Sequence, residues 1–236
     1  MSLKAILFDL DGTLLPLEQD VFVKAYFKGL CEKLAPFGYD PKELLKAVWH
    51  GIDGMIANDG KCSNETVFWN SFCEFYGEDS RKDEPIFNEY YRNEFQNVRA
   101  VCGVDPKAKE TVYMLKDKGV QVILATNPVF PSIATESRIR WAGLEPSDFE
   151  LYTTFENIGY CKPNIKYYEE ILNRQNLNPD ECLMVGNDVG DDMVARELGL
   201  RVFLLTDNLI NKENVDINEF PHGGYDKLVQ YIKKII

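Results

Sequence analysis

Five short apolar runs punctuate the chain: "KAILF" at Lys4–Phe8, "VQVILA" at Val120–Ala125, "LYTT" at Leu151–Thr154, "CLMV" at Cys182–Val185 and "VFLL" at Val202–Leu205. Most are continuous rather than alternating, the pattern of strands covered on both faces. Helical stripes separate the later four. Asp105-Pro106 reads as an N-cap and first helical residue, followed by Ala108, Val112 and Leu115, with Gly119 as the stop. Tyr167, Tyr168, Ile171 and Leu172 form the next face. Met193, Val194 and Leu198 precede Gly199, and Tyr225, Leu228, Val229 and Ile232 mark a last helix. Strands alternating with helices predict a doubly wound parallel α/β sheet.

The interval from Pro16 to Asn97 breaks this rhythm. It holds no strand pattern but four helical stripes: Val23, Phe27, Leu30, Leu34; Leu44, Leu45, Val48; Phe68, Phe72, Phe75; and Phe87, Tyr91, Phe95. Aromatics at helical spacing are read as the core of a small bundle rather than as a ligand box. The expected organisation is therefore an α/β domain of residues 1–15 and 98–236, interrupted after its first strand by an all-helical domain of residues 16–97. The hinges fall near Leu14–Asp20 and Val98–Pro106. The Gly-containing stretch "HGIDGMIANDGK", with His50, Asp53, Asn58 and Asp59, is expected to be a loop between helices of the insert.

Charge and cysteine usage narrow the possibilities. A formal net charge of −12 over 236 residues, without a local basic patch, argues against nucleic-acid binding. Six scattered cysteines, no C-x-x-C pair and two histidines argue against a zinc site or a disulfide scaffold. Free thiols and no signal peptide point to the cytoplasm. No apolar stretch approaches the roughly 20 residues a membrane helix needs. The sequence does not distinguish a monomer from a homodimer.

Two acidic clusters carry the candidate chemistry. "ILFDLDGTLL" ends the first strand with Asp9 and Asp11, whose side chains start on the same side because strand residues alternate faces. The carboxyl ends of strands in an open parallel sheet face the ligand crevice. Two carboxylates there can divide labour between nucleophile or metal ligand and general acid/base, although Asp-Gly is also a common turn dipeptide. "VGNDVGDDM" at Val185–Met193 puts three aspartates into five positions after the fourth strand, with no basic residue among them.

The first of these stretches resembles motif one of the haloacid dehalogenase superfamily, D-x-D-G-T, at all five positions. The other motifs follow in family order: Ala125-Thr126-Asn127 after the second strand, Lys162-Pro163 ahead of a helix, and the acidic loop after the fourth strand. The resemblance covers residues 1–15 and about 98–210, and the helical insert stands where the family places a cap. It implies a phosphatase working on a small phosphorylated metabolite with Mg2+ as cofactor. Asp9 would be the nucleophile and a metal ligand. Asp11 would be the acid/base, with its backbone carbonyl on the metal. Thr126 and Asn127 would bind phosphate, and Lys162 would stabilise the covalent intermediate and contact phosphate. Many family members read G-D-x-x-x-x-D where this chain has Asn187. Asp188 is therefore expected as the direct metal ligand, and Asp192 as a second ligand or partner of metal-bound water. Asp191 stays open between that site and a charge at a helix N-terminus.

Dehalogenation has no use for Asp11 or the acidic loop. A phosphomutase shares every core residue and stands as the alternative. A non-enzymatic receiver domain also gathers acids, Lys and Mg2+ on a parallel sheet, but its phosphoacceptor ends the third strand, its Lys comes last, and it lacks such an insert. Sugar phosphates, phosphoglycolate-like acids and nucleoside monophosphates all remain open as substrates.

Overall fold

The computed structural model describes residues 3–236. Its sheet has six parallel strands, β1 (Ala5–Phe8), β2 (Gln121–Leu124), β3 (Leu151–Tyr152), β4 (Cys182–Gly186), β5 (Arg201–Leu205) and β6 (His222–Gly223), in the order β3-β2-β1-β4-β5-β6. Between β1 and β2 run α1 (Gln19–Leu34), α2 (Pro41–Ile56), α3 (Asn64–Tyr76), α4 (Glu84–Arg92) and α5 (Pro106–Asp117). Then come α6 (Ser132–Trp141), α7 (Ile165–Gln175) and α8 (Tyr225–Ile235).

Continuous apolar strands are explained by two cores. Ile6, Phe8, Leu124, Leu183, Val185, Phe203 and Leu205 point to one side, against Val112, Leu115, Ile139 and Leu228 of α5, α6 and α8. The alternate residues Ala5, Leu7, Ile123, Cys182, Met184, Val202 and Leu204 meet Tyr167, Tyr168, Ile171 and Leu172 of α7. This is the doubly wound α/β arrangement that the apolar runs predicted. Chain direction across the sheet reverses between β1 and β4, and the crevice at that switch point is where such folds bind ligands.

α5 begins as its sequence dictates, the Asp105 carboxylate accepting from the Lys107 N–H at 2.9 Å with Pro106 at the first helical position. The structure departs from the sequence pattern at two elements. Met193–Leu198 forms a short 3-10 helix rather than an α-helix. α6 was not marked by any stripe, because it buries Thr135, Ser137 and Arg138 along with Ala134, Ile139 and Trp141.

The stripes of the Pro16–Asn97 interval fall on α1 to α4 and on the 3-10 segment Glu94–Val101. Most of their aromatics pack inside, Phe75 being an exception at 45% exposed. His50 and Asp53, expected in a loop, lie within α2. The glycines that suggested a break serve packing instead: a Cβ on Gly51 would come 2.5 Å from the Phe68 ring of α3. Gly51→Ala is expected to force α2 and α3 apart and destabilise the fold by about 1–3 kcal/mol, read by chemical denaturation. The connections into and out of the insert run side by side, joined by a bridge between Leu17 and Cys102 and by the Gly103 N–H donating to the Pro16 carbonyl at 2.6 Å. No helix among the described residues is long and apolar enough to cross a membrane.

Candidate active site

Strand register brings the motif residues together. Phe8 aligns with Leu124 of β2 and Val185 of β4, so the residues just beyond these strands share one edge of the sheet. Asp9 remains tied to β4 through its N–H on the Val185 carbonyl at 2.9 Å. The next turn is held from the far side of the crevice. The Thr13 hydroxyl donates to Asn187 Oδ1 at 3.0 Å, and Asn187 Nδ2 donates to the Asn208 carbonyl at 2.7 Å. Asn208 closes the circuit through Nδ2 to the Gly12 carbonyl, at 3.3 Å. An aspartate at 187 would accept from Thr13 but have no proton for Asn208, which gives the departure from the family pattern a structural role. Gly12 has φ +81°, and a side chain there would run into the Asn187 amide.

Lys162 stands at the centre, 2% exposed. Its ammonium donates to Asp9 Oδ1 at 2.9 Å and to Asp192 Oδ1 at 2.6 Å. Burial opposes its charge, but the carboxylates of Asp192 and Asp9 together more than offset this, holding the ammonium well above its ordinary range. Asp192 is also inaccessible, and its second oxygen accepts the Asp188 N–H at 3.0 Å. Both oxygens of Asp192 are engaged by protein, Oδ1 by the Lys162 ammonium and Oδ2 by the Asp188 N–H.

Asp188 is more open. Its Oδ1 accepts the N–H groups of Gly190 and Asp191 at 2.8 and 3.0 Å, which fixes the carboxylate at the tip of the loop. The loop is pinned by the Val189 N–H on the Ile210 carbonyl at 3.0 Å. Asp191 crosses to the second strand, its Oδ2 accepting from Asn127 Nδ2 at 3.2 Å, and the Tyr168 hydroxyl donates to its carbonyl at 2.6 Å. Burial raises the Asp191 carboxyl above its ordinary range, Lys162 pulls it down and Asp188 pushes it up. It does not serve as a helix-terminal charge, since no α-helix starts there.

Thr126 is buried, and its carbonyl is fixed by the hydroxyls of Thr153 at 2.7 Å and Tyr167 at 2.8 Å. Asn127 also reaches the Lys162 carbonyl at 3.5 Å, and its Oδ1 is buried without a partner. Asp11 pairs through Oδ2 with Arg138 of α6, while its Oδ1 is buried and unpartnered. Burial raises the Asp11 carboxyl, Arg138 opposes the rise, Asp9 adds to it and Lys162 opposes it. Arg138 went unnoticed in the sequence. No signal singled it out, because Glu136 and Arg140 stand two positions to either side of it in the same helix.

The structure thus gathers Asp9, Asp11, Thr126, Asn127, Lys162 and Asp188 around one crevice, with Asp192 behind Lys162. A separate cavity of about 90 Å³ lies between the insert and the β2–β3 side, lined by Tyr26, Phe68, Trp69, Tyr91, Phe130 and Phe155 among others; none of the crevice residues lines it.

Comparison with known proteins agrees with this geometry. Residues 3–211 match the family model for haloacid dehalogenase-like hydrolases, and the chain belongs to that family of hydrolases. A glyceraldehyde 3-phosphate phosphatase of Methanothermobacter thermautotrophicus is 25% identical over 89% of each chain. A phosphoglycolate phosphatase of Vibrio vulnificus is 25% identical over the whole chain and 97% of its own length. Among solved structures, a 2-haloacid dehalogenase from Pseudomonas syringae shares the fold with a TM-score of 0.64 at 19% identity, over 98% of this chain and 99% of that one.

Proposed function

We propose that this hydrolase is a Mg2+-dependent phosphatase that acts on a small phosphorylated metabolite through an aspartyl-phosphate on Asp9. The observation that carries the reading is the Lys162 ammonium, buried and bonded to Asp9 Oδ1. A carboxylate attacks an anionic phosphate only where charge on both is offset, and a fixed ammonium beside the nucleophile begins that. Small-phosphate hydrolysis is also the activity named for the archaeal and Vibrio relatives.

The donor set suits Mg2+. The crevice offers carboxylate and carbonyl oxygens from Asp9, Asp11 and Asp188, with no thiol or imidazole ligand. Among the described residues no three Asp, Glu, His or Cys side chains form a cage by themselves. Mg2+ does not need one, since it keeps several waters and is held by one or two carboxylates plus substrate phosphate. When bound, it would supply positive charge shared between nucleophile and phosphate. Asp9, the Asp11 carbonyl and Asp188 would hold it.

The chain's own groups then divide the work. Lys162 keeps Asp9 aimed and offsets charge on the transferring group, while the Thr126 hydroxyl and Asn127 hold phosphate oxygens at the end of β2. Asp11 protonates the leaving oxygen, then takes a proton from the water that frees Asp9. Asp192 serves as the counter-ion that keeps Lys162 in place. Residues 16–97 act as a cap that covers the crevice and meets the leaving group.

The test is phosphate release from a broad panel of phosphorylated metabolites, with Mg2+ and after chelation. Release of inorganic phosphate that chelation stops is the expected result, whereas an isomerised phosphoester would point to a mutase and no turnover would end the enzyme reading. Asp188→Asn keeps the acceptor for Gly190 and Asp191 but removes the charge. It is expected to raise the Mg2+ concentration for half-maximal rate by about tenfold or more, a loss within the range for disturbed metal sites. A larger effect from Asp191→Asn would exchange the two roles.

A further inference from the structure

Asn64, the first residue of α3, is wholly buried, so both ends of its amide must find partners inside the protein. Nδ2 faces the carbonyls of Pro128 at 3.3 Å and Tyr160 at 3.4 Å and the Cys161 sulfur at 3.3 Å, sharing its hydrogens among three acceptors. Oδ1 accepts from Asn58 Nδ2 at 2.8 Å. Asn58 is held in turn by the Cys62 carbonyl at 3.0 Å and the Gly60 N–H at 3.2 Å. The amide is thus oriented from within the insert and aimed at the α/β domain.

The backbone is seated at the same place. The first N–H groups of an α-helix have no partner within it, and here the α/β domain supplies them. The Asn64 N–H donates to the Ile158 carbonyl at 3.0 Å and the Glu65 N–H to the Phe155 carbonyl at 2.7 Å. The chains approach so closely that a Cβ on Gly159 would stand 2.7 Å from the Cys62 carbonyl. The insert is therefore joined to the α/β domain here as well as at its paired connections through Leu17 and Cys102.

Pro128 follows Asn127, and Tyr160 and Cys161 precede Lys162, so the Asn64 amide bridges the two loops that carry these crevice residues. Neither the Pro128 nor the Tyr160 carbonyl accepts another hydrogen bond among the described residues. The same loops meet again where Asn127 Nδ2 faces the Lys162 carbonyl at 3.5 Å, a weak contact by itself. Apolar side chains would hold two surfaces together as well. What a satisfied buried amide adds is a single allowed arrangement of the groups around it.

We propose that Asn64 is a positioning residue for the phosphate site: by binding the Pro128 and Tyr160 carbonyls together it fixes the spacing between Asn127 and Lys162. The inference rests on the reading of those two residues as phosphate-binding groups. Asn64 itself touches no phosphate. Seating of the insert and ordering of the phosphate site become one event, so the insert acts on the reaction through the backbone beneath the crevice.

The experiment measures the dissociation constant of inorganic phosphate by calorimetry on the Mg2+-loaded protein, at a temperature where every variant is folded, together with the melting temperature. Asn64→Ala removes the bridging amide and leaves Asn58 its bond to the Cys62 carbonyl. Phe72→Leu is the control. Phe72 is wholly buried among Tyr39, Phe68, Trp69, Tyr76 and Phe87 of the insert, so its truncation loosens the insert without reaching either loop. Both variants are expected to melt below wild type. Asn64→Ala is expected to bind phosphate about fivefold or more weakly than Phe72→Leu does, the scale of one lost hydrogen bond. A merely structural residue would lower the melting temperature and leave the dissociation constant where it was.

If wild type binds phosphate and the two variants differ by less than about fivefold, the inference alone fails. If wild type binds no phosphate in the presence of Mg2+, the reading of Asn127 and Lys162 fails and takes the inference with it. Should Asn64→Ala not fold, Asn64→Leu fills the same space without donor or acceptor, and the same comparison with Phe72→Leu decides.

Discussion

Asp9→Asn is expected to lower kcat by about four orders of magnitude or more, the scale on which removal of a nucleophile acts. The amide has the shape of the carboxylate and retains an oxygen for the Lys162 ammonium, now 2.9 Å from Oδ1. Lys162 also keeps Asp192 as counter-ion, so no charge is stranded. The melting temperature should therefore stay within about 4 °C of wild type, the shift that roughly 1 kcal/mol produces in a chain this long. Steady-state kinetics with Mg2+ and a thermal melt on the same sample make the check. Substantial residual turnover would remove Asp9 from the role of nucleophile.

Lys162→Met should do what Asp9→Asn does not, and damage both activity and fold. Removing the ammonium leaves Asp9 and the inaccessible Asp192 without their shared cation. Breaking a buried pair from one side costs about 3–5 kcal/mol, because the remaining charge has neither water nor partner. At about 2–4 °C per kcal/mol, the melting temperature should fall by roughly 6–20 °C. A second change separates the two roles. Lys162→Met/Asp192→Asn removes the stranded charge and should recover much of the lost melting temperature, while turnover stays absent. If the double variant regained activity, Lys162 would be a structural residue and its contact with Asp9 incidental.

What the sequence made legible follows from how the chain is buried. Ile6–Phe8, Val122–Leu124, Leu183–Val185 and Val202–Leu205 read as strands because both faces of the sheet are covered, so every residue in them is apolar. β6 left no trace, since His222 and Gly223 form a two-residue edge strand without an apolar run. α6 was hidden for a different reason. It is covered on more than one side and buries polar groups that bond to their neighbours, Ser137 to the Ile133 carbonyl and Arg138 to Asp11, so it has no single apolar stripe.

The site was legible by motif order and less so by orientation. Spacing placed Asp188, Asp191 and Asp192 in one loop but did not say which way each would turn. That depends on Ile210 and Asn208, which hold the loop from beyond β5. Gly51 and Gly54 misled in the opposite direction, because glycine in a sequence signals a break while close contact between two helices requires it inside one.

The place of the insert has a consequence for how the chain comes together. β1 is an interior strand, third of six, yet its neighbours β2 and β4 begin at Gln121 and Cys182. A ribosome adding about 5–20 residues per second reaches β4 roughly 10–35 s after β1 has been made. Until β2 arrives, roughly 6–23 s after β1, a strand apolar on both sides has neither edge paired, and until β4 arrives one edge stays open, the condition in which strands find wrong partners. α1 to α4 emerge during the wait, and they rely on contacts close in sequence, which form early. Their aromatic surface can therefore assemble before the segments after β2 and β3 bring Phe130 and Phe155 against Tyr26 and Phe68.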